Sequence, residues 1–133
     1  MKKQMDHVAI FHETFNIGNA EKVEAQLSPS DYTLRYKLMR EENEEYLEAA
    51  ENGDLVEIAD ALGDMMYILS GTILKHGLQD VIEEVFEEIQ RSNMSKLGED
   101  GNPIYREDGK VLKGPNYFEP NIAGILKKKG HLK

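Results

Sequence analysis

What this chain lacks excludes several kinds of chemistry. There is no cysteine among its 133 residues, so disulfide bonds, a thiol nucleophile and a cysteine-ligated zinc site are ruled out. No apolar run approaches the roughly 20 residues that a membrane-spanning helix needs. Met1-Lys-Lys is followed by a polar stretch and not by the apolar core of a signal peptide. We therefore expect a soluble cytoplasmic protein with no membrane partner.

Positive charge is scarce where negative charge is dense. The formal net charge is -9, and ten acidic residues lie between Glu41 and Asp64, a segment without lysine or arginine from end to end. Such acidity argues against binding a nucleic-acid polymer. Basic residues collect at the end of the chain, in 127–129 and Lys133. That tail is either a solvated terminus or an arm that contacts anions.

The hydrophobic periodicity predicts an all-α fold with four main helices. Asn52-Gly53 ends the second helix and Asp54 can cap the third at once, so these two helices should form an antiparallel hairpin. The second helix is expected to begin after Ser30 or Asp31, both good N-caps. The four predicted helices span residues 3–15, about 31–51, 55–75 and 78–92.

The pattern changes after Asn93. Two short β-like runs flank Asp108-Gly109, which predicts a tight hairpin, and residues 120–128 have room for one or two helical turns. The length of the chain fits one domain with a real core. We therefore expect residues 1–95 to form the helical core and 96–133 to form a hairpin, loop and basic tail of the same domain.

Two acidic stripes stand out on the predicted hairpin, because residues three or four apart share one face of a helix. Between Leu55 and Leu74 the third helix has no charged residues except Glu57, Asp60 and Asp64, so it should be largely buried. Burying carboxylates without partners costs several kcal/mol each, roughly, so a cation is expected nearby. The stripes are Leu38, Glu42, Glu45 and Ala49 on the second helix and Glu57, Asp60, Asp64 and Tyr67 on the third.

A divalent metal is the simplest such cation. Carboxylates one turn apart have Cβ atoms about 5–6 Å from each other, so the pairs Glu42–Glu45 and Glu57–Asp60 can form an acidic cup for Mg²⁺ or Mn²⁺. Asp64 is a further ligand or supports one. The alternative is that these glutamates lie on a solvated surface. We expect a solvated surface for three other glutamates, and both interpretations stay open for Glu42 and Glu45. Those expected on the surface are Glu44, Glu48 and Glu51.

The order of these acids carries a resemblance. Glu41-Glu-Asn-Glu-Glu45 followed by Glu57-Ile-Ala-Asp60 is similar to the E-E-x-x-E…E-x-x-D pattern of the all-α nucleoside triphosphate pyrophosphohydrolases. That superfamily includes MazG-like proteins, dimeric dUTPases and phosphoribosyl-ATP pyrophosphohydrolase, and Leu62-Gly-Asp64 resembles its MazG-like branch. The resemblance implies a four-helix MazG-like bundle that hydrolyses the α–β phosphoanhydride of a nucleotide to a monophosphate and pyrophosphate.

The resemblance also implies roles for individual residues. By motif position, Glu41 would orient or deprotonate the attacking water. Asn93 and Lys96 are candidates for substrate contacts, and the alternative is an ordinary helix C-terminus. Lys110 and Lys113 are candidates for a basic flap over the phosphates, and the alternative is an ordinary surface hairpin. The residues that would hold Mg²⁺ are Glu42, Glu45, Glu57 and Asp60.

Partner and substrate are open to alternatives. One small hairpin leaves apolar surface uncovered, so we expect a homodimer or a dimer of dimers. The nucleotide is expected to be a nucleoside triphosphate. The alternatives are phosphoribosyl-ATP as the substrate, or a non-catalytic helical binding protein of the same fold.

Overall fold

Five α-helices and no β-sheet make up the chain, which confirms the predicted all-α class. The computed structural model describes all 133 residues. These form two compact units, Met1–Asp80 and Val81–Lys133, and each is described by itself. No helix combines the length and apolarity needed to cross a membrane. The helices are α1 (Lys2–Thr14), α2 (Pro29–Glu51), α3 (Leu55–Lys75), α4 (Ile82–Met94) and α5 (Ile122–Lys128).

The first unit is built on the predicted hairpin of α2 and α3, with α1 packed against α3. Gly53 takes a positive φ of 63° in the link, and Asp54 caps α3 by accepting a hydrogen bond from the Glu57 amide at 3.2 Å. Near the start of α2, Arg35 donates to the carbonyl oxygen of Ile68 near the end of α3. The two helices are therefore antiparallel, as expected.

Two helix starts differ from the prediction. α2 begins at Pro29, and Ser28 is its N-cap, accepting from the Asp31 amide at 3.2 Å. Proline is favoured in the first helical turn, where its missing N–H costs nothing, so the helix starts earlier than Ser30. α4 begins at Ile82 and not at 78, because the Leu78 amide closes the end of α3 by donating to Ile73. The predicted division at residue 95 stays a prediction.

The prediction that the third helix is largely buried was wrong for the single chain. Its buried residues cluster toward its C-terminal end, where α1 and the start of α2 cover it. Large apolar side chains along the rest of the helix are exposed, since one neighbouring helix cannot cover every side of another. The exposed ones are Leu55, Val56, Leu62, Met66, Tyr67 and Leu69.

The second unit holds α4, α5 and the predicted hairpin. The hairpin is reduced to one antiparallel bridge between Tyr105 and Val111, with Gly109 at a φ of 87° in its turn. Ser92 of α4 is buried and donates to the carbonyl oxygen of Phe118 at 2.8 Å. Lys129 after α5 pairs with Glu84 of α4 at 2.7 Å. Residues 122–128 form the short helix expected there.

Candidate active site

An acidic cleft opens where α2 turns into α3. Its volume is about 440 Å³. Three of the four predicted metal ligands, Glu45, Glu57 and Asp60, lie on its walls. Because the link between the helices is short, the end of α2 and the start of α3 face each other across this space. The remaining lining residues are Glu48, Ala49, Asn52 and Asp54.

Glu42 lies one turn before Glu45 and is partly buried. Its Oε2 atom is buried and has no hydrogen-bond partner. Loss of solvent raises the pKa of Glu42 to about 7, and the carboxyl group of Glu45 and the negative charges of Asp64 and Asp60 act in the same direction. The fourth predicted ligand is thus electrostatically coupled to carboxylates on both helices of the hairpin.

Asp64 belongs to the same cluster. Partial desolvation raises its pKa above the usual range, and the charges of Asp60 and Glu45 add to the effect. No lysine or arginine forms an ion pair with any of these four carboxylates. The one such pair in the acidic segment joins Arg40 to Glu44 at 3.0 Å, on an exposed part of α2. The acidic cluster, defined here as Glu42, Glu45, Asp60 and Asp64, therefore has no ion-pair partner among the basic side chains of the chain.

The donor chemistry of this cluster fits a hard divalent cation. All of its donors are carboxylate oxygens, which Mg²⁺ and Mn²⁺ prefer, and Glu42 offers a buried oxygen without a partner. No group of three or more acidic or histidine side chains is arranged to hold a metal ion. The fit therefore rests on charge and donor type and not on a preformed coordination sphere.

Glu41, the predicted general base, lies outside the lining of the cleft, and three residues that do line it were not predicted as site residues. Glu41 is exposed on α2 and makes no hydrogen bond or ion pair, so nothing in the chain orients it. Glu48, expected on a solvated surface, is exposed and also lines the cleft with Asn52 and Asp54. The sequence contains a signal for their place in the cleft. Glu48 follows Glu45 by three residues and so shares its face of α2, and Asn52 and Asp54 flank the turn between the two helices.

The predicted substrate-binding residues all lie in the second unit. Asn93 is exposed in the last turn of α4, and its carbonyl oxygen accepts from the Lys96 amide at 3.2 Å. The carbonyl oxygen of Lys96 accepts from the Gly114 amide at 2.8 Å, which brings the segment of Lys113 beside it. Lys110 is exposed on the hairpin. The substrate contacts of these residues stay a prediction.

The chain is similar to known pyrophosphohydrolases. The family model for phosphoribosyl-ATP pyrophosphohydrolase matches residues 8–93, a range that contains the whole acidic cluster. The solved structure of a candidate NTP pyrophosphohydrolase from Exiguobacterium sp. 255-15 is similar over 96% of this chain and 95% of that chain, with 25% identity and a TM-score of 0.53. No curated protein matches the chain at a significant level.

The all-α fold and the acidic cleft, taken with these similarities, define a pyrophosphohydrolase of the MazG-like superfamily. Within that class, the chain belongs to the phosphoribosyl-ATP pyrophosphohydrolase family.

Proposed function

We propose that this enzyme hydrolyses the α–β phosphoanhydride of a nucleoside triphosphate in a Mg²⁺-dependent reaction. The products would be a nucleoside monophosphate and pyrophosphate. The observation that carries the proposal is the buried, unpaired oxygen of Glu42 within a cluster of carboxylates from two helices. Such like charges resist ionising together unless a cation offsets their repulsion. A metal ion that also binds the phosphates of a substrate meets that requirement.

The metal would be held by the predicted ligands. Glu45, Glu57 and Asp60 line one cleft, and Glu42 is coupled to two of these, Glu45 and Asp60. Asp64 interacts with the same pair and would join or support them. A bound Mg²⁺, or Mn²⁺ in its place, supplies charge neutralisation at the phosphate oxygens and lowers the pKa of water.

Glu41 is the proposed general base. Its exposed carboxylate is free of hydrogen bonds and ion pairs, so it is available to a water molecule at the cluster. The water oxygen would form a new bond to phosphorus as the bridging P–O bond breaks. The proton of the water would pass to the Glu41 carboxylate. The electron pair of the broken bond would leave with the product whose phosphorus is not attacked, either the monophosphate or the pyrophosphate.

The second unit supplies candidate donors for the polyphosphate. Lys96 and Lys113 come from segments joined by a backbone hydrogen bond, and Asn93 is close to Lys96 in the chain. Ammonium and amide N–H groups donate to phosphate oxygens. We propose that these three residues, with Lys110 on the hairpin, contact the phosphates of the substrate.

Phosphoribosyl-ATP is the second candidate substrate, because the matching family model is that of phosphoribosyl-ATP pyrophosphohydrolase. The bond broken and the metal requirement would be the same. The two candidates differ in what is attached to the nucleotide, and direct comparison of the two substrates decides between them.

We also propose that the enzyme is a homodimer or a dimer of dimers that assembles through α3. Leu55, Leu62 and Leu69 follow one another at intervals of seven residues, with exposed fractions of 77%, 46% and 45%. Met66, one turn from Leu62 and Leu69, is also exposed. An apolar stripe with this period matches the seam of two packed helices.

The decisive experiment measures pyrophosphate and monophosphate release from a panel of ribo- and deoxynucleoside triphosphates and from phosphoribosyl-ATP, with Mg²⁺ or with EDTA. Metal-dependent pyrophosphate release from a triphosphate supports the proposal. Release from phosphoribosyl-ATP alone supports the second candidate. If folded protein releases no pyrophosphate from any member of the panel, the proposed function is wrong.

A further inference from the structure

A second cavity lies between α1 and α3, apart from the acidic cleft. Its volume is about 320 Å³, within the range of about 300–1,000 Å³ for small-molecule pockets. Val8 at its floor is buried, and the aliphatic and aromatic parts of Met66 and Tyr67 make most of its wall apolar. Its other lining residues are Gln4, His7, Gly63 and Ser70.

Ser70 is the unexplained polar group in this cavity. The residue has an exposed fraction of 0%, and its hydroxyl oxygen has no hydrogen-bond partner. A buried hydroxyl without a hydrogen-bond partner carries a free-energy cost in the folded chain. A ligand atom that hydrogen-bonds to this hydroxyl would recover that cost, because the hydroxyl can both donate and accept.

Gly63 is the second unexplained residue. Glycine inside a helix is less favourable than alanine, and here a β-carbon would meet no atom within 4 Å. Gly71 on the same helix is different, because a β-carbon there would crowd Arg35 and His12. Packing within the chain thus explains Gly71 but not Gly63, whose open space borders the cavity.

The cavity and the acidic cluster both border α3. Asp60, Gly63 and Ser70 lie at helical spacing on one side of the helix, and Asp64 directly follows Gly63. Tyr67 is held at the wall by an edge-on contact with Phe11, with ring centroids 5.6 Å apart. A molecule whose phosphates lie at the acidic cluster would therefore have, on the neighbouring side of the same helix, an apolar slot with one polar group. A flat heteroaromatic ring with polar edge atoms suits that slot.

We propose that the cavity between α1 and α3 binds the base of the nucleotide substrate. The Ser70 hydroxyl hydrogen-bonds to a polar atom on the edge of the base, and the missing side chain of Gly63 leaves room for the ring. This inference rests on the proposed function, because it takes the phosphates to lie at the acidic cluster. The rival occupant is a side chain from a second copy of the protein.

The test compares kcat/KM for the best nucleoside triphosphate with kcat/KM for base-free ribose 5-triphosphate, in the wild type and in two variants. Ser70→Ala removes one hydrogen bond and should lower kcat/KM for the nucleotide about tenfold, since each 1.4 kcal/mol is a factor of ten. Gly63→Leu fills the slot and should lower it further. Both variants should hydrolyse the base-free substrate as well as the wild type. Ala50→Leu adds similar bulk at an exposed position of α2 and is the matched control.

Stability and mass measurements complete the test. Ser70→Ala should melt at or above the wild-type temperature, because it removes an unpaired buried hydroxyl, so lost activity would not reflect lost folding. Variants that keep the wild-type preference for the nucleotide over the base-free substrate would overturn the proposal. So would a Gly63→Leu protein with altered oligomeric mass and equal losses on both substrates, because a second copy would then fill the cavity. A wild type that hydrolyses neither substrate would instead refute the proposed function, and the base site with it.

Discussion

The guanidinium group of Arg35 lies against the main chain of Gly71, so that a β-carbon at residue 71 would be 2.8 Å from its Nη2 atom. Arg35 is held there by hydrogen bonds of 3.1 Å to the hydroxyl of Thr72 and to the carbonyl oxygen of Ile68. The ring of His12 would be 2.9 Å from the same β-carbon. Three helices therefore meet at Gly71, two turns and more from the acidic cluster along α3.

This contact predicts opposite effects for two similar substitutions. Gly71→Ala should lower the free energy of unfolding by about 1–3 kcal/mol, the usual cost of overpacking, because Arg35 and His12 are fixed by other hydrogen bonds. Gly63→Ala should raise it by about 0.5–1 kcal/mol through helix propensity alone, since its β-carbon meets nothing. Urea denaturation of both variants checks the pair, and equal shifts in the two would contradict the packing described here.

The acidic cluster predicts loss of turnover without loss of folding. Glu42→Gln and Asp60→Asn should each lower kcat/KM by more than about 100-fold. Replacing a residue that only supports a metal ligand already lowers metal affinity or activity by about 10–100-fold, and a ligand should matter more. Circular dichroism should be unchanged. Glu44→Gln is the matched control, since Glu44 is exposed and pairs only with Arg40 on the surface of α2. Near-normal turnover in either cluster variant would remove that residue from the proposed ligands.

The raised pKa of Glu42 predicts how the stability of the metal-free protein depends on pH. Glu42 holds its proton up to about pH 7 in the folded chain, against a reference value of 4.5. Between these values the folded state binds more protons than the unfolded state, so stability falls as pH rises. The loss should be on the order of 1 kcal/mol, because solvent screens a partly exposed group.

Comparison with Glu42→Gln isolates this effect, since glutamine cannot titrate. The buried ring of His12, whose pKa is lowered mainly by desolvation, gives an opposite slope as it titrates, but that contribution is common to both proteins and cancels. Urea unfolding in EDTA at pH 5 and pH 8 should therefore show a larger fall for the wild type. An identical fall in both proteins would mean that Glu42 titrates normally.

Metal binding predicts a shift in thermal stability. Mg²⁺ and a nucleotide, added together, should raise the melting temperature of the protein. A ligand at 100 times its dissociation constant stabilises the folded state by about 2.7 kcal/mol. EDTA should reverse the shift, and Asp60→Asn should reduce it. A shift with nucleotide that EDTA leaves unchanged would show that binding does not require the metal.

Much of this architecture follows from local sequence signals. The hairpin of α2 and α3 was predicted from Asn52-Gly53 and Asp54, because turn geometry and capping are decided by neighbouring residues. The acids of the cluster were found because their helical spacing requires no knowledge of distant contacts. The expectation that α3 is largely buried was wrong for the single chain. Apolar composition indicates which side chains avoid water, but it does not indicate which neighbouring element covers them. The unpaired hydroxyl of Ser70 had no sequence signal, because it depends on tertiary packing.

The exposed apolar stripe of α3 predicts that one substitution will change the oligomeric state. Leu62 lies at the middle of the stripe, seven residues from both Leu55 and Leu69. Leu62→Glu would place a carboxylate in the packed seam, where an unpaired buried charge costs several kcal/mol, roughly. Light scattering after gel filtration should show an assembly for the wild type and a single chain for this variant.

Ile10→Glu provides the comparison, because it changes an apolar residue of α1, away from the stripe, that is exposed to 61% against 46% for Leu62. It should leave the mass unchanged. If the wild type is already a single chain, or if Leu62→Glu assembles like the wild type, then α3 is not the seam. In either case the exposed leucines would need another explanation, because contiguous exposed apolar patches commonly mark interaction sites.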